Sequence, residues 1–231
     1  MMKKNYLIIG GSTGIGLALA RQLHTQGHHV MVAARRLIDE PGISSVHFDA
    51  TLDDAALLDL PEKLDGLAYC PGSINLKPFH RLTDQDFTDD FQLNVMGAVR
   101  VVRSVLPKLK NAGQASVVFF STVAVKQGMP FHASVAASKG ALEGLTKSLA
   151  AEWAPVIRVN CIAPSLTDTP LAARILSSEE KRKTSGERHP LKRVGEADDI
   201  ASMATFLLSS EASWVSGQIL HVDGGMSSLR V

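Results

Sequence analysis

The chain has 231 residues, 45% of them hydrophobic and 20% charged, with a formal net charge of +1; this suits one α/β domain over 1–231 and carries no mark of disorder. Its lysines and arginines are scattered, which argues against nucleic-acid or acidic-membrane binding and leaves a small molecule as the expected ligand. No apolar run reaches the roughly 18 residues of a membrane span.

At the N-terminus, "YLIIG" (6–10) breaks at its glycine, too short for a signal-peptide centre, so a cytoplasmic protein is expected. It reads instead as the first of six strands, followed by "HVMVAA" (29–34), "GLAYC" (66–70), "ASVVFFS" (115–121), "IRVNCIA" (157–163) and "QILHVDG" (218–224). Helices fit 15–26, where Ile15, Leu19 and Leu23 share a face and Gly27 ends the run, and about 52–60, 84–111, 134–154 and 197–209. Continuous apolar strands alternating with helices predict a doubly wound parallel sheet covered on both faces, with right-handed crossovers. The polar stretch 166–196 reads as a mobile lid over a site, with a solvated surface helix as the alternative. Cys70 and Cys161 follow neither a metal-ligand nor a disulfide-framework spacing and read as free thiols; no metal is expected.

In "YLIIGGSTGIGLALARQL" a strand runs into glycines and a helix follows at once. Gly10 allows a tight turn, Gly14 lets backbone approach a pyrophosphate and Gly16 permits close helix–strand packing, while the helix N-terminus offers unpaired N–H groups. This is the pattern of a dinucleotide site. An acidic residue at the end of the second strand would select a free ribose 2′-hydroxyl, but the chain places Arg35 and Arg36 there. Two guanidiniums suit a 2′-phosphate, so NADP(H) is expected over NAD(H).

With "GGSTGIG", "FDAT", "FQLNVMGAV", "ASKGALEG", "RVNCIAPSLTDT" and the stretch from "PLKRVGEADD" to "HVDGGM" in that order, the chain resembles the short-chain dehydrogenase/reductase family, and near its C-terminus the ketoacyl-reductase-like members. The resemblance spans nearly the whole chain. It implies a Rossmann-like sheet of seven strands, a homodimer or homotetramer, and a cofactor held by the loop residues Gly10, Ser12, Thr13, Gly14, Ile15 and Gly16. It also implies an adenine contact at Asp49 and Ala50, an active-site asparagine at Asn94, a ribose-holding Lys139, and Gly72 and Thr169 on the cofactor.

The family's active site uses Ser, Tyr and Lys, and here the resemblance puts Thr122 and Val135 at the first two positions. Further departures are Tyr69-Cys70-Pro71-Gly72 in place of Asn-Asn-Ala-Gly, Ile9 before the glycine loop, and Ser165 where the Pro-Gly pair would have glycine. Hydride delivery to a carbonyl builds an alkoxide that a neighbouring acid must protonate, and valine has no proton to give. Thr122 can hydrogen-bond the acceptor oxygen. Of the two tyrosines only Tyr69 ends near the cofactor side. His132 stands seven residues before Lys139, two helical turns, where enoyl-reductase-like members of the family carry their tyrosine, and its imidazole suits the task.

Ala136, Gly140 and Gly144 form a small-residue face suited to close helix approach, with Leu142, Leu145 and Leu149 as the buried stripe. Pocket walls are expected from 72–80, 123–135 and 166–196, with Phe79, Met129, Phe131 and Leu171 favouring an apolar acceptor. The leading reading is an oxidoreductase reducing a carbonyl or conjugated alkene; the alternatives are a cofactor-binding regulatory protein without efficient catalysis and, third, a structural or assembly role.

Overall fold

The apolar runs assemble as one sheet. In the computed structural model, which describes residues 3–230, the strands are β1 (Asn5–Ile9), β2 (His29–Ala34), β3 (Ser44–His47), β4 (Gly66–Tyr69), β5 (Ala115–Phe120), β6 (Ile157–Pro164), β7 (Thr167–Asp168), β8 (Gly195–Glu196) and β9 (Ile219–Val222). Seven of them form a sheet in the order β3-β2-β1-β4-β5-β6-β9, every neighbouring pair parallel, while β7 and β8 pair separately. The six expected strands are all present. β3 is the addition: "SSVH" is short, polar and half-exposed at the sheet edge, so it carries no apolar run to read.

Helices α1 (Gly14–Thr25), α2 (Asp84–Phe91), α3 (Gly97–Asn111), α4 (Val123–Gln127), α5 (Ala133–Trp153), α6 (Glu179–Glu187) and α7 (Ala197–Leu208) complete the chain. Strand alternation sends Leu7 and Ile9 to one face, with Val101, Val105 and Leu142 of α3 and α5, and Tyr6 and Ile8 to the other, with Leu19, Leu23, Ile200 and Leu207 of α1 and α7. Two apolar layers thus sandwich the sheet. The turn in strand order lies between β1 and β4, and a doubly wound sheet opens its ligand crevice at the carboxyl ends beside such a point.

Two helical expectations need correction. The stretch 52–60 forms only a 3₁₀ turn at Ala55–Leu57, because Asp54 turns its carboxylate onto the Ala56 N–H and the Ser104 hydroxyl, and Leu57 is left 87% exposed. The stretch 84–111 is interrupted by a π-helical turn at Gln92–Met96, where the Gly97 N–H reaches back to the Gln92 carbonyl. The buried Tyr69 hydroxyl donates to the Leu93 carbonyl in this wide turn at 2.6 Å. A Cβ on Gly97 would overlap that hydroxyl, so glycine lets β4 and the turn meet. No helix among the described residues is long and apolar enough to cross a membrane.

Candidate active site

The carboxyl ends of the central strands open onto a cavity of about 470 Å³. The glycine turn follows β1. Gly10 and Gly14 adopt φ of 76° and 54°, the left-handed region that side chains resist. At Gly16 a Cβ would come within 2.8 Å of the Gly10 carbonyl oxygen and the Gly11 Cα, both backbone atoms without freedom to move aside. α1 starts with no side-chain cap from Thr13 and no acidic residue in its first turn. Its leading N–H groups, beside Ser12 and Ile15, are therefore left for an anion.

Arg35 and Arg36 are exposed just past β2. Asp49 follows β3; its carboxylate accepts from the Thr51 hydroxyl at 2.6 Å and the Thr51 N–H at 2.8 Å, bonds that hold its pKa below the ordinary value. Ala50 beside it is buried, its carbonyl accepting from Arg100 at 3.2 Å. At the other end of the crevice a Cβ on Gly14 would lie 3.1 Å from the Thr169 methyl, so the segment after β7 closes on the glycine turn. These residues fit a phosphorylated dinucleotide laid across the strand ends, with cation, uncapped helix and glycine backbone placed for its charges.

Lys139 lies 6% exposed on α5, and its Nζ donates to the Phe120 carbonyl at 2.7 Å. Burial pulls the ammonium down to about 8, partly opposed by Cys161, Cys70 and Asp90. A Cβ on Gly72 would come within 3.4 Å of that Nζ and 3.6 Å of Asn94 Oδ1, so Gly72 keeps the space between them open. Asn94, buried in the π turn, donates to Ser138 Oγ at 3.0 Å and Ser73 Oγ at 3.4 Å, while its Oδ1 is buried without a partner. Ser73 and Ser134 both donate to the buried carboxylate of Asp90. Most of this polar chain from α2 to α5 was not legible in the sequence, since Ser73, Ser134 and Asp90 fall in no motif.

Thr122 caps α4, its Oγ1 accepting from the Ala124 N–H at 3.3 Å, which leaves the hydroxyl hydrogen free to point into the cavity it lines. Val135 and His132 share the same wall; the His132 Nδ1 donates to the Pro130 carbonyl at 2.7 Å. Tyr69 is excluded as an acid, because it is buried, committed to Leu93, and its pKa is driven upward by desolvation. Tyr6 is buried in the opposite layer, its phenol pushed up to about 12 chiefly by burial. The two cysteines are free, and burial pushes both thiols up to about 12.

Residues 166–196 fold into β7, a 3₁₀ turn at Pro170–Ala172, α6 and β8, with Arg182 of α6 paired to Asp168. The stretch therefore contains a largely solvated helix, as the alternative expectation had it, and it also supplies Leu171, Ile175 and His189 to the cavity wall. Ile74, Leu76, Met129 and Phe131 form the facing apolar wall, whereas Phe79 is exposed outside it. His189 is 3% exposed; its Nδ1 lies 2.9 Å from the Ser185 carbonyl and its Nε2 2.8 Å from Ser165 Oγ. No spacing signal announces this pair, as 24 residues separate its members.

Comparison with known proteins agrees with this geometry. Residues 10–227 match the family model described as enoyl-(acyl carrier protein) reductase. A tropinone reductase homolog of Arabidopsis thaliana is 32% identical over 242 residues, covering 96% of this chain and 92% of its own. The structure of a short-chain type dehydrogenase/reductase from Mycobacterium ulcerans superposes with a TM-score of 0.89 at 30% identity, covering 100% of this chain and 92% of that one. ElxO with NADP bound superposes with a TM-score of 0.90 at 26% identity, covering 99% of this chain and 100% of its own. The chain belongs to the short-chain dehydrogenase/reductase family of oxidoreductases.

Proposed function

We propose that the protein is an NADP(H)-dependent oxidoreductase that reduces a carbonyl or conjugated alkene of a small to medium apolar molecule. The observation that carries this reading is the single cavity in which Thr122, Lys139 and Thr169 meet apolar walls at the carboxyl edge of the sheet. NADP in the similar ElxO structure supports the cofactor class, and Arg35 and Arg36 support the 2′-phosphate. The reduced nicotinamide, when bound, supplies the hydride. The α1 N-terminus takes the pyrophosphate charge, and Lys139 Nζ hydrogen-bonds the ribose hydroxyls. Thr122 donates its free hydrogen to the acceptor oxygen, polarising the group under attack. The unpartnered Asn94 Oδ1 would take a water in the space that Gly72 keeps open between it and Lys139 Nζ. Val135, standing where the family's tyrosine is expected, supplies no proton, and two imidazoles reach the cavity wall, those of His132 and His189.

A homodimer or homotetramer accompanies this reading: a Cβ on Gly144 of α5 would meet nothing within 4 Å, and Trp214 is 99% exposed past α7. The test is NADPH and NADH binding by cofactor fluorescence for the native protein and Arg35→Ala, followed by NADPH oxidation against ketones, aldehydes and enoyl thioesters for the native protein and Val135→Tyr. Native turnover supports an enzyme. A native protein that binds NADPH in silence and is awakened by Val135→Tyr supports the alternative, a cofactor-binding protein without efficient catalysis. Failure to bind either cofactor refutes both.

A further inference from the structure

Two departures from the family pattern face the same cavity. At position 135 a hydroxyl is missing, and at position 165 a hydroxyl is present where glycine is expected. Ser165 is the first residue past β6, and Thr122 follows β5 by one residue; β5 and β6 are paired neighbours, so both hydroxyls leave adjacent strand ends. The extra hydroxyl is also not idle. Its oxygen lies 2.8 Å from His189 Nε2 and 3.0 Å from the Met226 sulfur. Its one hydrogen goes to the imidazole nitrogen, because a thioether is a much weaker acceptor.

The tautomer follows from the far side of the ring. The Ser185 carbonyl, 2.9 Å from Nδ1, can only accept, so the neutral ring carries its hydrogen on Nδ1 and offers the Nε2 lone pair to Ser165. When the ring takes up a second proton, Nε2–H donates to the serine oxygen and turns the serine hydrogen toward the cavity. A buried imidazole, fixed by a carbonyl on one side and a hydroxyl on the other, is the arrangement that moves protons in activated-serine sites. His132 lacks these features: it is half-exposed, held through one nitrogen, and touches no hydroxyl.

We propose that Ser165, backed by His189, is the proton donor of the reaction, and that the pair replaces the acid lost at position 135. The proposal rests on the oxidoreductase reading above, with a reduced nicotinamide dinucleotide as reductant. As hydride arrives at the carbonyl carbon, the C=O π pair moves onto oxygen. That oxygen takes the hydrogen of Ser165, whose O–H bond breaks as the product O–H bond forms. The serine oxygen recovers a proton from Nε2–H of the imidazolium, and the neutral ring regains one from bulk solvent, which gives up one proton per turnover and leaves the matching base in the buffer. One proton and one hydride are consumed for each alcohol made. Ser165 is the catalytic residue, and His189 is a positioning and relay residue acting through it.

The test compares the native protein with Ser165→Ala, Ser165→Gly and His189→Gln. On the cofactor-free protein, nitrogen-15 NMR of the imidazoles reads the tautomer: a His189 ring protonated at Nδ1, with an Nε2 signal that moves in Ser165→Ala, is expected. NADPH fluorescence titration reads cofactor binding, which should stay within about twofold of native in each variant. Single-turnover reduction of the best carbonyl acceptor should fall at least about 100-fold in both serine variants, the lower end for loss of a general acid. In His189→Gln, kcat should fall with KM within about twofold, and the slowing of native turnover in deuterated water should change. Undiminished carbonyl reduction by Ser165→Ala, an NADPH affinity that falls in step with the rate, or transfer of these losses to His132→Ala overturns the assignment while the oxidoreductase reading stands. Absence of NADPH oxidation by both the native protein and Val135→Tyr, with every acceptor, overturns both.

Discussion

Replacing Tyr69 by Phe removes one oxygen from the joint between β4 and the π turn. The phenol is 1% exposed, and its hydroxyl is donated to the Leu93 carbonyl at 2.6 Å. The ring itself stays packed in the layer with Ile9, Val101 and Phe119, so the change isolates the hydrogen bond. Loss of a buried bond that leaves its acceptor without that partner costs about 1–3 kcal/mol. For a chain of this length that corresponds to a melting temperature lower by roughly 2–12 °C. Scanning calorimetry on the cofactor-free protein measures it, and hydrogen exchange should show the amides of 93–98 opening more readily than those of β4. Gly97→Ala supplies an internal control, because its Cβ collides with the same hydroxyl. The substitution should cost less in the Tyr69→Phe background than in the native one, a coupling that a double-mutant cycle reads directly. A Tyr69→Phe melting temperature within about 1 °C of native, with additive effects in the cycle, refutes the argument that this hydroxyl holds the turn.

Gly16→Ala should weaken NADPH binding by more than about tenfold, since its Cβ meets Gly10 and Gly11 backbone at 2.8 Å and the phosphate turn must shift to admit it; fluorescence titration checks this. Arg35→Ala should weaken NADPH while leaving NADH within about twofold, and an equal loss for both cofactors would sink the 2′-phosphate assignment. Lys139 makes a pH prediction for the cofactor-free protein. Burial holds its pKa at about 8 against 10.5 in the unfolded chain, so between those values the unfolded state holds more protons and this lysine's contribution to stability rises with pH. The unfolding free energy of the native protein minus that of Lys139→Met should climb by on the order of 3 kcal/mol across the window, as read by urea titration; a flat difference refutes it. Ser134→Ala removes one of two hydroxyl donors from buried Asp90 and should destabilise the protein by about 1–3 kcal/mol in the same assay.

The strands were legible because each central one is buried on both faces and must be apolar throughout, as in "ASVVFF" of β5. β3 was not, because an edge strand pairs through backbone and asks little of its side chains. The glycine turn was legible for a similar reason: positive φ at Gly10 and Gly14 and contact at Gly16 leave no other residue type. What stayed hidden was made by chain crossings. Asp90 meets Ser134 across 44 residues, and Ser165 meets His189 across 24. Nothing local announces that such short polar side chains share a buried bond. Periodicity also misread 84–111, since a π turn keeps the helix looking continuous while changing which side of it faces inward.

That last point bears on how the chain tolerates change in length. Each residue added to or taken from an α-helix turns everything beyond it by about 100°. The wide turn at Gln92–Met96 absorbs one residue more than an α-helical turn would, and so sets the angle between Asp90, which must face Ser134, and Val101 and Val105, which must face the sheet. A single-residue deletion within that turn would let it close into a regular α turn with Asp90 and Val101 keeping nearly their present facing, whereas the same deletion in the regular turns on either side would rotate one of the two by about 100°. Within 84–111 the chain is therefore freest to change its length by one residue inside this turn, at the cost of the Tyr69–Leu93 bond made there, and least free in the regular turns of α2 and α3.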